Sequence, residues 1–233
     1  LTLATIIFTE NERNFDDMVK VWERSAEYYM PSARRVVLKV SPPLYKKRAC
    51  DKYMRFSSTY AYMLLASWGR KQNDDLILTD CDIMFTGDCS KVFEEKFNFA
   101  CTVRDASCWV NAGVVFVKNN AKGRELLRES IQRAKDLYRR PERFKESLVK
   151  FLGADQAAIA LMAEEGKVVK LPCEVWNCEQ HSWDKFSDKT KIVHMKSSLW
   201  DLAQGDEMRS SYEEDHNIFK IFKIWKNFLE DRV

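Results

Sequence analysis

The stretch DDLILTDCDIMF, residues 74–85, runs from two acids into an apolar segment and then places Asp80 and Asp82 at its far edge. An apolar run of this length bounded by polar residues is the pattern of a buried strand. In an extended chain residues i and i+2 point to the same side. Asp80 and Asp82 are therefore expected to converge, with Cys81 turned the other way into the packing. Two carboxylates on one side repel unless one is protonated or a cation lies between them. A hard divalent ion such as Mg²⁺ or Mn²⁺ suits oxygen ligands and leaves positions open for a diphosphate, whose developing charge it would neutralise. The rival reading is a turn or helix cap, since Asp is common at strand ends.

Strand-like and helix-like stretches alternate on either side of this segment. LATIIFT is β-branched and apolar, a candidate buried strand. A helix is expected from NFDDMVKVWERSAEYY, with Phe15, Met18, Val19, Trp22 and Ala26 on one face and Asn14 as N-cap. ARRVVLKV reads as the second strand and residues 46–68 as a long helix. CSKVFEEKF (89–97) reads as a short helix, followed by the strands FACTV and NAGVVFVK. Residues 121–150 carry two charged helical stretches broken at Pro141. GADQAAIALMAEEG is a helix with Gly at both edges, KVVKLP and KIVHM are short strands, and residues 212–230 close the chain as an amphipathic helix. A βαβα opening implies an α/β fold with a mostly parallel, Rossmann-like sheet flanked by helices. No linker-like segment divides residues 1–233, so a single domain is expected. Ligands of such sheets bind outside the carboxyl ends of the strands, which places Thr9, Glu10, Asn11, Asp80 and Asp82 around one crevice.

The chain has 233 residues, 45% of them hydrophobic and 31% charged, within the range of soluble globular proteins. A net charge of +3 carries no nucleic-acid signature. There is no run long enough for a membrane-spanning helix, and the N-terminal stretch lacks the basic region and cleavage site of a signal peptide. There are seven cysteines and no CxxC pair; Cys81, Cys101 and Cys108 sit in or beside apolar stretches and are read as buried, reduced thiols of a cytoplasmic protein, with a Cys173–Cys178 disulfide as the alternative in an oxidising compartment. The closing helix, with Phe219, Phe222, Trp225, Phe228 and Leu229 among Lys220, Lys223 and Lys226, is expected to pack on the domain. A peripheral membrane contact is its other use.

LILTDCDIMF resembles the DxD segment of glycosyltransferases with the GT-A fold, of the family-8-like glycogenin and galactosyltransferase type. Other motifs follow in that family's order. KYMRF, with Arg55, resembles the arginine step that contacts the nucleotide sugar. VNAGVVFVKNN (110–120) is similar to the strand whose Asn, here Asn111, faces the sugar. GADQAAI resembles the Asp-Gln step at the donor sugar, here Asp155 and Gln156, and IVHMKSSLW resembles the late histidine segment, here His194. The likeness covers roughly residues 3–200. It departs from the family at FTEN, where the first strand usually ends in Asp and Asn, and after His194, where Lys196 stands without the usual Lys-Pro-Trp.

The resemblance implies a metal-dependent transfer of a sugar from a nucleotide-diphosphate sugar, a UDP-sugar favoured, to an acceptor hydroxyl, with retention of anomeric configuration. Asp80, Asp82 and His194 would hold Mn²⁺ or Mg²⁺. Thr9, Glu10, Asn11, Arg55 and Asp80 would serve the nucleotide end, and Lys196 a phosphate. Asn111, Asp105, Asp155 and Gln156 would shape the sugar and reaction centre, with Asp105 or Glu174 the base an inverting enzyme would need. Each has a plainer reading as well: a core histidine, a solvated Lys196, a helix cap at Asp155, a turn at Asn111, and a core Trp109 in place of a sugar-stacking one. A nucleotidyltransferase on a related fold and a non-catalytic nucleotide-sugar-binding protein are the alternatives. The former normally carries a Gly-rich loop after its first strand, and FTENERNF has no Gly.

Overall fold

The computed structural model describes residues 1–8, 15–41, 56–196, 199 and 217–233. Strand β1 (Thr2–Phe8) is buried along nearly its whole length, as a central strand covered on both faces must be. Helix α1 (Asp16–Tyr29) leads to β2 (Arg34–Val40), which pairs parallel to β1, and α2 (Phe56–Gly69) leads to β3 (Leu76–Thr79) on the other side of β1. β5 (Phe99–Val103) and β6 (Val110–Val117) form an antiparallel pair, and β7 (Val169–Pro172) lies parallel to β5. The six-stranded order is β2-β1-β3-β6-β5-β7, with β6 antiparallel to both its neighbours. The other five strands share one direction. The carboxyl ends of β1, β3 and β5 and the start of β6 therefore meet at one edge of the sheet.

Period-two alternation splits the sheet's side chains between two cores. Ala4, Ile6, Leu76 and Leu78 point to the face covered by α2, α3 (Ala121–Arg139) and α5 (Ala154–Glu164). Leu3 and Ile77 point to the other, where Trp22 and Ala26 of α1 pack. α5 is buried almost all round, which its alanine-rich sequence allows. Asn120 caps α3 by accepting from the Gly123 N–H at 2.8 Å. Pro141 stands in a 3₁₀ turn between α3 and α4 (Lys145–Phe151), the break expected from a residue without an N–H.

The expected α/β architecture, with a mostly parallel sheet between helices, is present. Several local expectations are corrected. IMF, to which the sequence reading gave no element, is a strand, β4 (Ile83–Phe85). It pairs antiparallel with β8 (Ile192–His194) in a second, two-stranded sheet. The short helix expected over 89–97 is a 3₁₀ turn, Ser90–Glu94. Of the long helix expected over 46–68, residues 46–55 lie outside the described residues, as do Asn14 and residues 212–216. The last helix, α7, is described over Asn217–Glu230. Asp155 is not the N-cap of α5; Gly153 is. Cys173, at the start of the short helix α6 (Cys173–Trp176), and Cys178 are free thiols, each donating to a backbone carbonyl.

Ile218, Ile221, Trp225 and Phe228 of α7 are buried with Met18 and Val21 of α1 and with Met84, Val193 and Met195 of the small sheet and its edge. The helix packs on the domain as expected, but through Ile218 and Ile221 beside Trp225 and Phe228, with Phe219, Phe222 and Leu229 only partly buried and its lysines 220, 223 and 226 exposed. No helix among the described residues is long and apolar enough to cross a membrane.

Candidate active site

Asp80, Cys81 and Asp82 form the link between the two sheets. The Asp80 N–H donates to Gly113 O at 2.9 Å, extending the β3–β6 ladder by one bond. The Asp82 carbonyl accepts from Met195 N at 2.7 Å, which ties it to the small sheet. α1 fastens both ends of the link. Trp22 Nε1 donates to Thr79 Oγ1 at 2.8 Å, and Ser25 Oγ accepts from Phe85 N at 3.1 Å. The β4–β8 register sets Ile83 opposite His194, so the last residue of β8 arrives beside the two aspartates.

His194 is fully buried, with Nε2 3.1 Å from Asp82 Oδ1 and 3.6 Å from Asp80 Oδ2. Ligand atoms of the three residues all lie within 4.8 Å of one another, close enough to share one ion. Despite the short separation, His194 Nε2 has no hydrogen-bond partner, and an orphaned buried nitrogen is costly. Its other ring nitrogen is engaged, 3.0 Å from Asn177 Oδ1. The space around the ring is made by Gly113. A Cβ there would lie 2.4 Å from His194 Cε1 and 2.9 Å from Asp80 Oδ2. Burial pushes the Asp82 carboxyl up, but His194 and Lys196 outweigh it and hold the group below its usual range. Asp82 is thereby an anion near neutral pH. Burial, with the two aspartates beside it, pushes the Cys81 thiol up, so sulfur adds no charge to the cluster. An orphaned imidazole nitrogen, two oxygen donors and a glycine-emptied cradle fit a hard or borderline divalent ion.

Two further expected residues stand beside this cluster. Asp155 and Asp80 line one small cavity together with Thr79, Ala112 and Tyr62. Asp155 Oδ1 accepts from Thr59 Oγ1 at 2.9 Å. Burial raises the Asp155 carboxyl above its ordinary range, the Thr59 hydrogen bond opposes this, and Asp80 adds to the rise. Asn111 is fully buried; its Oδ1 accepts from Gly113 N at 2.9 Å, while its Nδ2 donor is unpartnered. Gln156 accepts from Ala112 N at 3.2 Å and donates to Phe151 O at 2.7 Å, so its amide bridges β6 and α4. The room beside Asn111, at Gly113, is taken by the His194 ring.

Asp105 lies exposed in the loop between β5 and β6, at the same sheet edge as the triad. Trp109 packs edge-on to Phe151 with Lys170 over its ring at 4.6 Å, a structural setting. Glu174 is half-buried on α6. Thr9, Glu10, Asn11 and Arg55 lie outside the described residues. The sequence reading missed Asn177, which no motif announces. It also missed the Arg104–Glu179 pair, 2.9 Å apart with side chains 11% and 1% exposed. Arg104 closes its own loop, donating through Nε to Cys108 O at 2.7 Å and through its backbone N–H to Trp109 O.

No protein-family model and no curated protein sequence matches the chain. Its fold, however, is that of solved glycosyltransferases. One, involved in the glycosylation of the major capsid of PBCV-1, superposes with a TM-score of 0.60 at 13% identity, covering 88% of this chain and 97% of that one. The galactosyltransferase LgtC, in complex with donor and acceptor sugar analogs, gives 0.64 at 11% identity, covering 99% and 96%. GlyE of Streptococcus pneumoniae TIGR4 gives 0.59 at 15% identity; the match covers 99% of this chain and 63% of that one. The chain has the GT-A fold, with a DxD segment and a histidine converging at its sheet edge.

Proposed function

We propose that the protein is a glycosyltransferase that moves a sugar from a nucleotide-diphosphate sugar, with UDP as the favoured nucleotide, to an acceptor hydroxyl. The observation that carries the proposal is the convergence of Asp80, Asp82 and the orphaned His194 Nε2 around a position cleared by Gly113. A divalent ion held there, Mn²⁺ or Mg²⁺, supplies neutralisation of the charge that develops on the leaving diphosphate. Asp80, half exposed, faces the crevice, while Asp82 and His194 are set back. Lys196 lies near enough to Asp82 to influence its charge, and serves as the phosphate-facing cation. Asn111 offers its unpartnered Nδ2 and Asp155 its carboxyl to the sugar, with Gln156 holding the backbone between them. Asp105, on the exposed loop after β5, is assigned to the reaction centre, toward donor or acceptor, on the family resemblance. Thr9, Glu10, Asn11 and Arg55 are assigned to the nucleotide on the family resemblance. Retention of configuration rests on the same resemblance, and a cytoplasmic setting on the free thiols.

Calorimetry against a panel of nucleotide sugars, with and without Mn²⁺, tests the proposal. Metal-dependent binding of at least one donor is expected, with UDP-sugars strongest. Absence of metal-dependent binding across the panel refutes it.

A further inference from the structure

We infer that Asn177 is the positioning residue that fixes the tautomer of His194, and that Thr102 sets the direction in which Asn177 does so. The inference rests on the metal reading of Asp80, Asp82 and His194 but concerns residues outside that triad. Asn177 and Thr102 are both fully buried. Thr102 Oγ1 donates to Asn111 O at 2.9 Å, Asn177 Nδ2 donates to Thr102 Oγ1 at 2.8 Å, and Asn177 Oδ1 lies 3.0 Å from His194 Nδ1.

Directionality follows from proton counting. A threonine hydroxyl has one proton, and here it is given to the backbone carbonyl of Asn111 at 2.9 Å. Thr102 Oγ1 is then left with lone pairs alone, so it faces the NH₂ end of the Asn177 amide. The carbonyl end must face His194, and an amide oxygen only accepts. Nδ1 therefore carries a proton, and when the ring is neutral the lone pair is on Nε2, on the side of Asp80 and Asp82. The chain begins where β5 and β6 slip register between Cys101 and Thr102, which sets Thr102 opposite Asn111. A backbone carbonyl of the strand that carries Asn111 thus specifies, through two side chains, which nitrogen of His194 is free to bind a metal. Outer partners of this kind orient a ligating histidine and raise its basicity, and their loss typically weakens metal affinity about 10–100-fold.

Three variants test this, read without catalysis. The full chain has three histidines, so nitrogen-15 NMR of the rings resolves the His194 tautomer directly. Mn²⁺ affinity is measured by calorimetry. In the unsubstituted protein Nδ1–H is expected. Asn177→Leu, which keeps approximate volume but has no acceptor, is expected to lose the Nδ1–H preference and to raise the Mn²⁺ Kd about 10–100-fold. Asn177→Asp keeps an acceptor toward Nδ1 and is expected to restore both toward the original values, a rescue that a purely space-filling role does not give. Thr102→Val frees the amide to turn and is expected to weaken Mn²⁺ binding less than Asn177→Leu; it carries the test if Asn177→Leu does not fold. Retention of Nδ1–H or of the original Kd in Asn177→Leu overturns the inference, as does failure of Asn177→Asp to rescue. If the unsubstituted protein binds no Mn²⁺, the metal reading falls, and the tautomer measurement alone decides the role of Asn177.

Discussion

Gly113→Ala probes the centre of the site with one methyl group. The new Cβ would stand 2.4 Å from His194 Cε1, 2.8 Å from Nδ1 and 2.9 Å from Asp80 Oδ2. Carbon atoms in packed proteins sit at about 3.5–4.0 Å, so the ring must retreat by about 1 Å. Gly113 does not have a positive φ, so the cost is steric, not conformational. His194 is fully buried and held through Asn177, so the retreat strains a packed neighbourhood, at about 1–3 kcal/mol for overpacking of this kind. A metal–nitrogen bond is about 2.0–2.1 Å, as in zinc sites, and a shift of about 1 Å forfeits it. Gly113→Ala should therefore lower the unfolding midpoint and raise the Mn²⁺ Kd by about 10–100-fold. Thermal unfolding read by circular dichroism, paired with Mn²⁺ calorimetry, measures both. An unchanged Mn²⁺ Kd would show that the ring at Gly113 is not a metal ligand, and an unchanged midpoint that the cradle is not close-packed.

Asp82→Ala should abolish Mn²⁺-dependent donor binding and donor hydrolysis while leaving the far-ultraviolet spectrum intact; full activity would remove Asp82 from the metal site. Asp155→Asn should stabilise the protein at neutral pH. The Asp155 carboxyl is raised above its ordinary value of 3.8 in the fold, so its contribution is complete below that value and is lost as pH rises through the folded value. Denaturant titrations of the two proteins should converge toward pH 4 and separate toward pH 8, with the Asn variant, which still accepts from Thr59, the more stable. Glu179→Ala leaves Arg104 buried without its partner, and equilibrium unfolding should show a loss of about 3–5 kcal/mol. A loss under about 1 kcal/mol, the range of exposed pairs, would mean that water reaches Arg104.

The main strands were legible because a strand buried on both faces leaves a continuous apolar run, as in β1 and β3, and the DxD was legible because acids at the end of such a run are conspicuous. His194 was reached only through the resemblance, since nothing local marks a histidine at the end of a three-residue strand. KIVHM was legible as a short strand, but β4 and its pairing with that strand were not. β4 and β8 are each three residues long, and their partnership spans more than a hundred positions of chain. Asn177 sits in VWNCEQ, where its neighbours give no periodicity; its role exists only once β8 is docked. That the His194 ring comes close to Gly113 is a tertiary fact, which the local sequence does not carry.

The link at residues 80–82 has a thermodynamic consequence. Asp80 is hydrogen-bonded into the large sheet, while Asp82 and His194 belong to the small one. A single ion shared by the three would act as a rivet between the sheets. A ligand that binds only the folded state adds RT ln(1 + [L]/Kd) to its stability. That increment would fall unevenly, on the opening motions that separate the two sheets, and leave the interior of the large sheet little changed. Amide hydrogen exchange in β4, β8 and the inward face of α7 would then slow on adding Mn²⁺, making the C-terminal helix a remote reporter of whether the ion is bound.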